Sequence, residues 1–482
     1  RLGIEVRDRT EAVAIIHVGE RCHGSVVRCL RSGRHFAVLA RSTVIATGGY
    51  GRIYGQFTTN AVINEGTGAS IALETGVVPL GNMEAVQFHP TTLAPSGILV
   101  TEGCRGDGGY LLDRNLHRFM VDAEPEKQEL ASRDVVCRHM MNVIHEGRGV
   151  EADFGQHLWL DIRHLGEAHL KTKLREVYEI CQNFLGVNPA EALIPVRPTQ
   201  HYSMGGIRVN KDGEAYSLQG LFAAGEAACW DMHGFNRLGG NSLAETLVAG
   251  RVVGIHAAAH AAGRESVRDP GIAVPAIVAA EERARRWLER DGDGPSVYDI
   301  RNRMGEVMMH KVGIFRHAGE LTEALAELRE LIELSDAATL RSKAPGMNPE
   351  LTFALRLKGM LRLSLCVAAG ALAREESRGA HHRSDFPSRD DARWLNRTLA
   401  RWTPGSDMPD LSYEPVGLID VPPGGRGYGE ASRVDMDESI DQYNKGVADG
   451  QDAAGRISTA DAFGSRLRPG AWRRASGQET TT

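Results

Sequence analysis

No run of about 18 apolar residues occurs anywhere in the 482-residue chain, so the sequence offers no membrane-spanning helix. Cysteine is sparse: seven in all, widely spread, with no C-x-x-C pair. That excludes zinc-ribbon and iron–sulfur spacings and points to reduced thiols in a reducing compartment. Basic excess is also missing. Lys and Arg number 56 against 62 Asp and Glu, a net charge of -6, so no nucleic-acid footprint is present. An anionic ligand would need a local cluster of Arg and His. No signal peptide is visible and no 20–50-residue repeat occurs. The chain opens at Arg1 in mid-pattern without a Met, and the expectation is that a segment precedes it.

What is present is ordinary globular usage, 42% hydrophobic and 24% charged, over a length that suggests about three domains. Residues 11–47 read as short β-rich strands such as AVAIIHV and HFAVLA, bounded by Gly, Arg or His turns. A helical stretch is expected near 68–76. LFAAGEA reads as a strand ending in glycine, with Asn241 and Ser242 placed to cap the helix that follows. GRESVRDPGIAVP at 263–275 reads as a linker, and 276–375 as mostly helical. Leu321, Ala324, Leu325, Leu328, Leu331 and Ile332 keep the 3–4 spacing of an amphipathic helix. Pro345, Gly346 and Pro349 break that region, and the polar tail after about 464 reads as disordered.

Two glycine turns can approach a ligand closely. STVIATGG brings a strand into the turn Ala46, Thr47, Gly48, Gly49. GLFAAGEAACWDMHGFNRLGGNSL ends a strand at Glu226, inserts a long glycine loop, then starts a helix at Asn241, Ser242 and Leu243. Free amides at a helix start suit a phosphate or the electron-rich edge of a flavin. Four further segments set His or Arg beside tight turns: QFHPTT, TEGCRGDGG, SRDVVCR and HYSMGG. Arg offers a carboxylate a two-pronged fork, and His adds a neutral donor. His256 and His260 stand four apart on a helix without a third ligand, so no metal site is expected.

These motifs, with VGIFR at 312–316, ESRGAHHRSDFPSRDD at 376–391 and PPGGRGYG at 422–429, resemble the succinate dehydrogenase/fumarate reductase flavoprotein subunits. The resemblance runs from about residue 40 to about 430. It implies an α/β plus α protein: an FAD-binding domain of the two-dinucleotide type, incomplete here, with an inserted α+β capping domain, a helical domain and a small C-terminal domain. The boundaries expected are 1–83 and 199–262 for the FAD-binding domain, 84–198 for the cap, 263–395 for the helical domain and 396–482 for the last. The implied activity is FAD-dependent interconversion of fumarate and succinate. His89, Thr101, His201 and Arg237 would hold the two carboxylates. Arg133 would move the proton, with Glu102 and Arg105 relaying to it. Ala46, Thr47, Gly48, Gly49, Thr67, Glu226, Asn241, Ser242 and Leu243 would contact FAD. The implied partners are an iron–sulfur subunit and a membrane-anchoring or quinone-reactive subunit. The implied location is peripheral on the membrane, on its cytoplasmic side, with the periplasmic side as the alternative.

The sequence departs from the family at several points. Thr67, in NEGTG, stands where an acidic residue is usual, with Glu65 as a possible substitute. Phe235 replaces the usual Ala and Thr92 the usual Gly, as in the branch whose anchor subunit is cysteine-rich. The family's opening strand with its G-x-G-x-x-G turn, and the His that links covalently to flavin, are not in this sequence. L-aspartate oxidase shares much of the pattern, although HYSMGG and NRLGGNSL favour the dicarboxylate reductases. A non-catalytic remnant of the fold is the alternative from another class. Cys104, inside TEGCRGDGG, is expected near the substrate as a reactive thiol.

Overall fold

The computed structural model describes residues 3–265 and 269–416. The PPGGRGYG motif, the polar tail and most of the expected C-terminal domain lie outside the described residues. The chain forms two compact units, Arg1–Pro387 with Thr398–Ser412, and Ser388–Arg397 with Tyr413–Thr482. In the second, the short helix Asp391–Trp394 sets the Trp394 ring edge-on to Tyr413, 5.5 Å between centroids.

The first unit opens with an antiparallel three-stranded sheet: β1 Thr10–Val18, β2 Arg21–Cys29 and β3 His35–Leu39. Gly24 stands where a side chain would meet the Val38 carbonyl at 2.0 Å, so only glycine lets β2 and β3 close there. β4, Thr43–Ile45, then pairs in parallel with β11, Leu221–Ala223, in the register Val44 to Phe222. Two segments some 180 residues apart are thereby brought side by side, and both glycine turns leave from the same strand ends.

Between them lies a second layer with its own core. β6 Val86–Leu93, β7 Tyr110–Leu112, β8 Leu158–Asp161 and β9 Ile194–Ser203 form an antiparallel sheet in the order β6-β9-β8-β7. Leu93, Leu111, Val136, Met140, Leu160 and Val196 pack inside it. A smaller sheet pairs β10, Gly206–Arg208, with β5, Leu80–Gly81, and in parallel with β12, Ala228–Cys229. Four long helices follow: Val274–Glu289, Val297–Lys311, Ala318–Ala337 and Pro349–Ala373. Leu321, Ala324, Leu328 and Leu331 are fully buried, as the 3–4 spacing requires, with Leu325 and Ile332 packed beside them. No helix among the described residues is long and apolar enough to cross a membrane.

Two local expectations need correction. The helix Asn241–Ala262 is capped by Gly240, in the left-handed region at φ 78, and no side chain accepts its first amides. Asn241 and Ser242 lie inside the first turn instead. The 263–275 segment is not wholly a linker either. Asp269 accepts from Gly271 N at 2.8 Å, Pro270–Ala273 forms a 3₁₀ turn, and a long helix starts at Val274.

Candidate active site

Arg133 is the first residue of the helix Arg133–Val143, which packs on β6. Its side chain is 9% exposed. Nε and Nη2 both donate to Glu102 Oε2, at 3.1 and 2.8 Å, and Nη1 donates to Gln87 Oε1 at 3.2 Å. The guanidinium is therefore fixed in plane and direction. Glu102 reaches Arg105 Nη2 with its other oxygen at 3.5 Å, and its side chain remains 39% exposed. Burial pushes the Glu102 carboxyl up, but the Arg133 hydrogen bond and the charges of Arg133, Arg105 and Arg237 outweigh it, and the group sits below its ordinary range. Arg105 is wholly buried, and burial lowers its pKa.

His89 on β6 and His201 on β9 face each other with ring centroids 5.0 Å apart, because β6 and β9 pair antiparallel with His89 opposite Thr199. Arg237 Nη2 donates to His201 Nε2 at 3.0 Å. That puts the His201 proton on Nδ1, which meets the Thr59 hydroxyl at 2.8 Å. Burial, then the Arg133 and Arg237 charges, lower the His201 pKa to about 3. His89 is fully buried and is held well below its ordinary value by burial, then by His201, Arg133 and Arg105. Its Nε2 has no partner, while its Nδ1 lies 3.2 Å from Thr91 O and 3.3 Å from Thr91 N. Thr101 is half-buried at the start of the short helix Gly103–Gly106, where its hydroxyl accepts from Gly103 N at 3.3 Å. Two neutral histidines and two arginines thus share a largely buried space, where the unpartnered ring nitrogen of His89 carries a desolvation cost. Such a space suits a small molecule bearing two carboxylates.

The low pKa of His201 has a measurable consequence. An unfolded histidine titrates near 6.5, so below that pH the unfolded chain takes up a proton that the folded ring refuses. Folding stability therefore falls as pH drops from about 6.5 towards 3, by about 2 kcal/mol at pH 5 from this ring. Urea midpoints at pH 7 and pH 5 should show a smaller acid loss in His201→Asn than in the parent. An equal loss in both would exclude His201 from the effect.

Several residues that build the site carry no catalytic signature in the sequence. Gln87 orients Arg133 and also donates from Nε2 to the Arg237 carbonyl at 2.7 Å and to Asn236 Oδ1 at 2.8 Å. It lies within QFHPTT, and only its neighbour His89 stood out there. Gly239 matters for space: a Cβ would lie 2.9 Å from Glu102 Oε2 and 3.3 Å from Arg133 Nη2. Cys104 does not match its expectation. It is fully buried in the core of the β6–β9 layer, and burial pushes its thiol up to about 12. The partly exposed Cys29, whose pKa is lowered by the Ser32 hydroxyl and by backbone hydrogen bonds, is the better nucleophile. Limited alkylation followed by peptide mapping should label Cys29 first and leave Cys104 intact. Preferential labelling of Cys104 would contradict this placement. His256 and His260 have separate partners, Asp212 at 3.3 Å and the Ser42 hydroxyl at 2.9 Å.

The remaining residues lie at the ends of the two parallel strands. The turn Ala46–Gly49 leaves β4, and Gly48 takes φ 73. Glu226 follows β11 and accepts from Ser203 N at 2.8 Å, and burial raises its pKa to about 7. A Cβ on Gly49 would lie 2.4 Å from Glu226 Oε1, so turn and carboxylate come together only through glycine. A half-buried carboxylate at a parallel strand end, a side-chain-free turn and a first turn of Asn241–Ala262 whose amides no side chain accepts make a cradle that fits part of a dinucleotide. Leu243, in that first turn, is 73% exposed. Thr67 begins the helix Thr67–Leu73, whose Gly68 lies against the Thr47 hydroxyl. Glu65 is taken up elsewhere: Arg356 Nη1 donates to it at 2.7 Å and Arg301 Nη1 meets its other oxygen.

Comparison with known proteins bears on this arrangement. The FAD-binding domain family matches residues 1–243, and the C-terminal family of fumarate reductase flavoproteins matches residues 301–428. The chain is 48% identical over 457 residues to the fumarate reductase flavoprotein subunit of Helicobacter pylori, covering 89% of this chain and 64% of that protein. It thus spans just under two thirds of that relative's length. It is 40% identical over 427 residues to the corresponding Mycobacterium tuberculosis subunit, covering 86% of this chain and 72% of that one. Among solved structures, an Escherichia coli quinol fumarate reductase with a point mutation aligns at a TM-score of 0.82 and 35% identity, over 86% of this chain and 72% of that one.

Proposed function

Because the chain belongs to the fumarate reductase/succinate dehydrogenase flavoprotein family, we propose that it interconverts fumarate and succinate. The reading is carried by one observation: Arg133 is locked between Glu102 and Gln87 beside the Arg237–His201 pair and the free Nε2 of His89. FAD is the cofactor of its FAD-binding domain, and when bound it supplies the hydride chemistry. Ala46, Thr47, Gly48, Gly49, Thr67, Glu226, Asn241, Ser242 and Leu243 are the residues proposed to hold it.

His89, His201, Arg237 and Thr101 clamp the two carboxylates, which fixes the C4 chain in one pose. Arg237 also stabilises charge that builds on a carboxylate during reduction. The proton comes from Arg133. Arginine is a poor acid on its own, but the Glu102 carboxylate lies 2.8 Å from Nη2, and a proton it takes up from water passes to Arg133 once one has left. Glu102 is the only member of that pair with substantial exposure, and it contacts buried Arg105, so the path from water runs through Glu102 and Arg105. The β6–β9 layer acts as the cap over this space.

We propose an iron–sulfur subunit and a membrane-anchoring, quinone-reactive subunit as partners, as the family resemblance implies; a quinol fumarate reductase is among the structures to which the chain is similar. Peripheral association with the membrane follows. The cytoplasmic side is proposed, with the periplasmic side as the alternative, from seven widely spread cysteines that include no C-x-x-C pair. The test is steady-state: flavin-loaded protein should oxidise a reduced viologen dye only when fumarate is present. Fumarate-independent oxidation, or none, would overturn the reading.

A further inference from the structure

Glu245 is a buried carboxylate, 4% exposed, that the reaction does not use. It lies one turn into the helix Asn241–Ala262, on a different face from exposed Leu243. Its Oε2 accepts from the Tyr202 hydroxyl and from His233 Nε2, the latter at 3.0 Å. The Tyr202 ring in turn carries the Arg237 guanidinium stacked on its face, 4.4 Å from Cζ to the centroid. Arg237 has few other restraints. Nη1 donates to the adjacent Leu238 carbonyl, Nη2 to His201, and Nε has no partner. A long side chain with that much freedom needs a fixed surface, and a buried aromatic ring supplies one only if the ring itself is pinned.

We propose that Glu245 is a positioning residue: by pinning Tyr202 it sets the platform on which Arg237 meets the substrate carboxylate. The arrangement also ties the clamp to the helix whose first turn is the proposed flavin contact, so both ligands press on one rigid element. This rests on the dicarboxylate reading above. Both donors converge on a single oxygen of Glu245, so what the site requires is an acceptor at that point rather than a charge.

That requirement gives the test, made on the flavin-loaded holoenzyme with fumarate kinetics and with dicarboxylate binding followed by the flavin spectrum. Glu245→Leu should raise the dicarboxylate Kd and the fumarate KM about tenfold. Glu245→Gln, which keeps an oxygen acceptor, should stay within about threefold of the parent. Tyr202→Phe keeps the ring but not the hydroxyl. It should match Glu245→Leu, and the double variant should be no worse than either single one. If Glu245→Leu loses its flavin or its fold, Tyr202→Phe against Glu245→Gln still decides. Unchanged Kd in Tyr202→Phe, additive effects in the double variant, or a Gln variant as weak as the Leu variant would each overturn the proposal. Absence of fumarate turnover in the parent holoenzyme would instead overturn the functional reading itself.

Discussion

Arg133→Lys should reduce fumarate turnover by on the order of 10²–10⁴-fold, the range for losing a positioned proton donor, while the dicarboxylate still binds within about threefold. The reason is geometric. The Arg133 fork reaches Gln87 Oε1 with one nitrogen and Glu102 Oε2 with two. An ammonium group is a point donor and cannot span both while presenting a proton to the substrate. Glu102 would hold the lysine on its own side. Arg237, His89 and His201 are untouched by the change, so binding should survive. Kinetics with fumarate, alongside binding of a non-reacting dicarboxylate, separate the two effects. Near-parental turnover in Arg133→Lys would remove Arg133 from the proton transfer.

Arg374→Leu should destabilise the fold by about 3–5 kcal/mol, the usual cost of leaving buried charge unpaired. Arg374 and its two acidic partners are wholly buried. Nε donates to Glu84 Oε1 and Nη1 to Glu376 Oε1, both at 2.9 Å, and Nη2 to the Thr398 hydroxyl at 3.1 Å. Its Cζ also lies 4.7 Å from the centroid of the Phe235 ring, two residues before Arg237. Removing the guanidinium would strand Glu84 and loosen the loop that carries the substrate clamp. The double variant Arg374→Leu/Glu84→Leu should recover part of the loss, because it removes a charge instead of isolating one. Thermal midpoints of the three proteins check this. A single variant as stable as the parent would show that water reaches and solvates Glu84.

The Phe235 substitution finds its setting here. The ring packs with Tyr202, Met204, Ala85 and Ala380, and Gly379 leaves room for its backbone, since a Cβ there would lie 2.6 Å from the Phe235 carbonyl. Ala380 N donates to that carbonyl at 2.8 Å. Gly379 and Ala380 therefore support the loop that carries Phe235, with Arg316 and His381 buried nearby and 2.7 Å apart.

The parts of the fold visible in sequence were those with a local signal. The 3–4 spacing of Leu321 to Leu331 reports burial directly along the chain, and the β-rich runs of 11–47, bounded by turn residues, report strands. His and Arg beside glycine turns suggested only a pocket for an anion, and the individual site residues came from the family resemblance. What local sequence could not express was pairing over distance. Nothing in QFHPTT or HYSMGG states that β6 and β9 share a register that sets His89 across from Thr199. Gln87, Tyr202 and Glu245 look like ordinary polar residues, and only their contacts give them work. Cys104 erred the other way. Its neighbours in sequence are cationic, but the short helix Gly103–Gly106 turns its thiol into an apolar core. Asn241 and Ser242 have the right composition for a cap, yet Gly240 ahead of them takes the left-handed conformation and becomes the cap.

The central claim is that one cluster both holds a four-carbon dicarboxylate and gives it a proton. The most direct measurement is a single turnover. Flavin-loaded protein is reduced anaerobically, mixed with fumarate in excess, and followed by flavin absorbance and by product analysis. The account predicts reoxidation with one succinate formed per flavin in the parent. In Arg133→Lys it predicts bound fumarate with the flavin still reduced over the same interval. Parental reoxidation in the lysine variant, or a parent flavin that stays reduced in saturating fumarate, would contradict it.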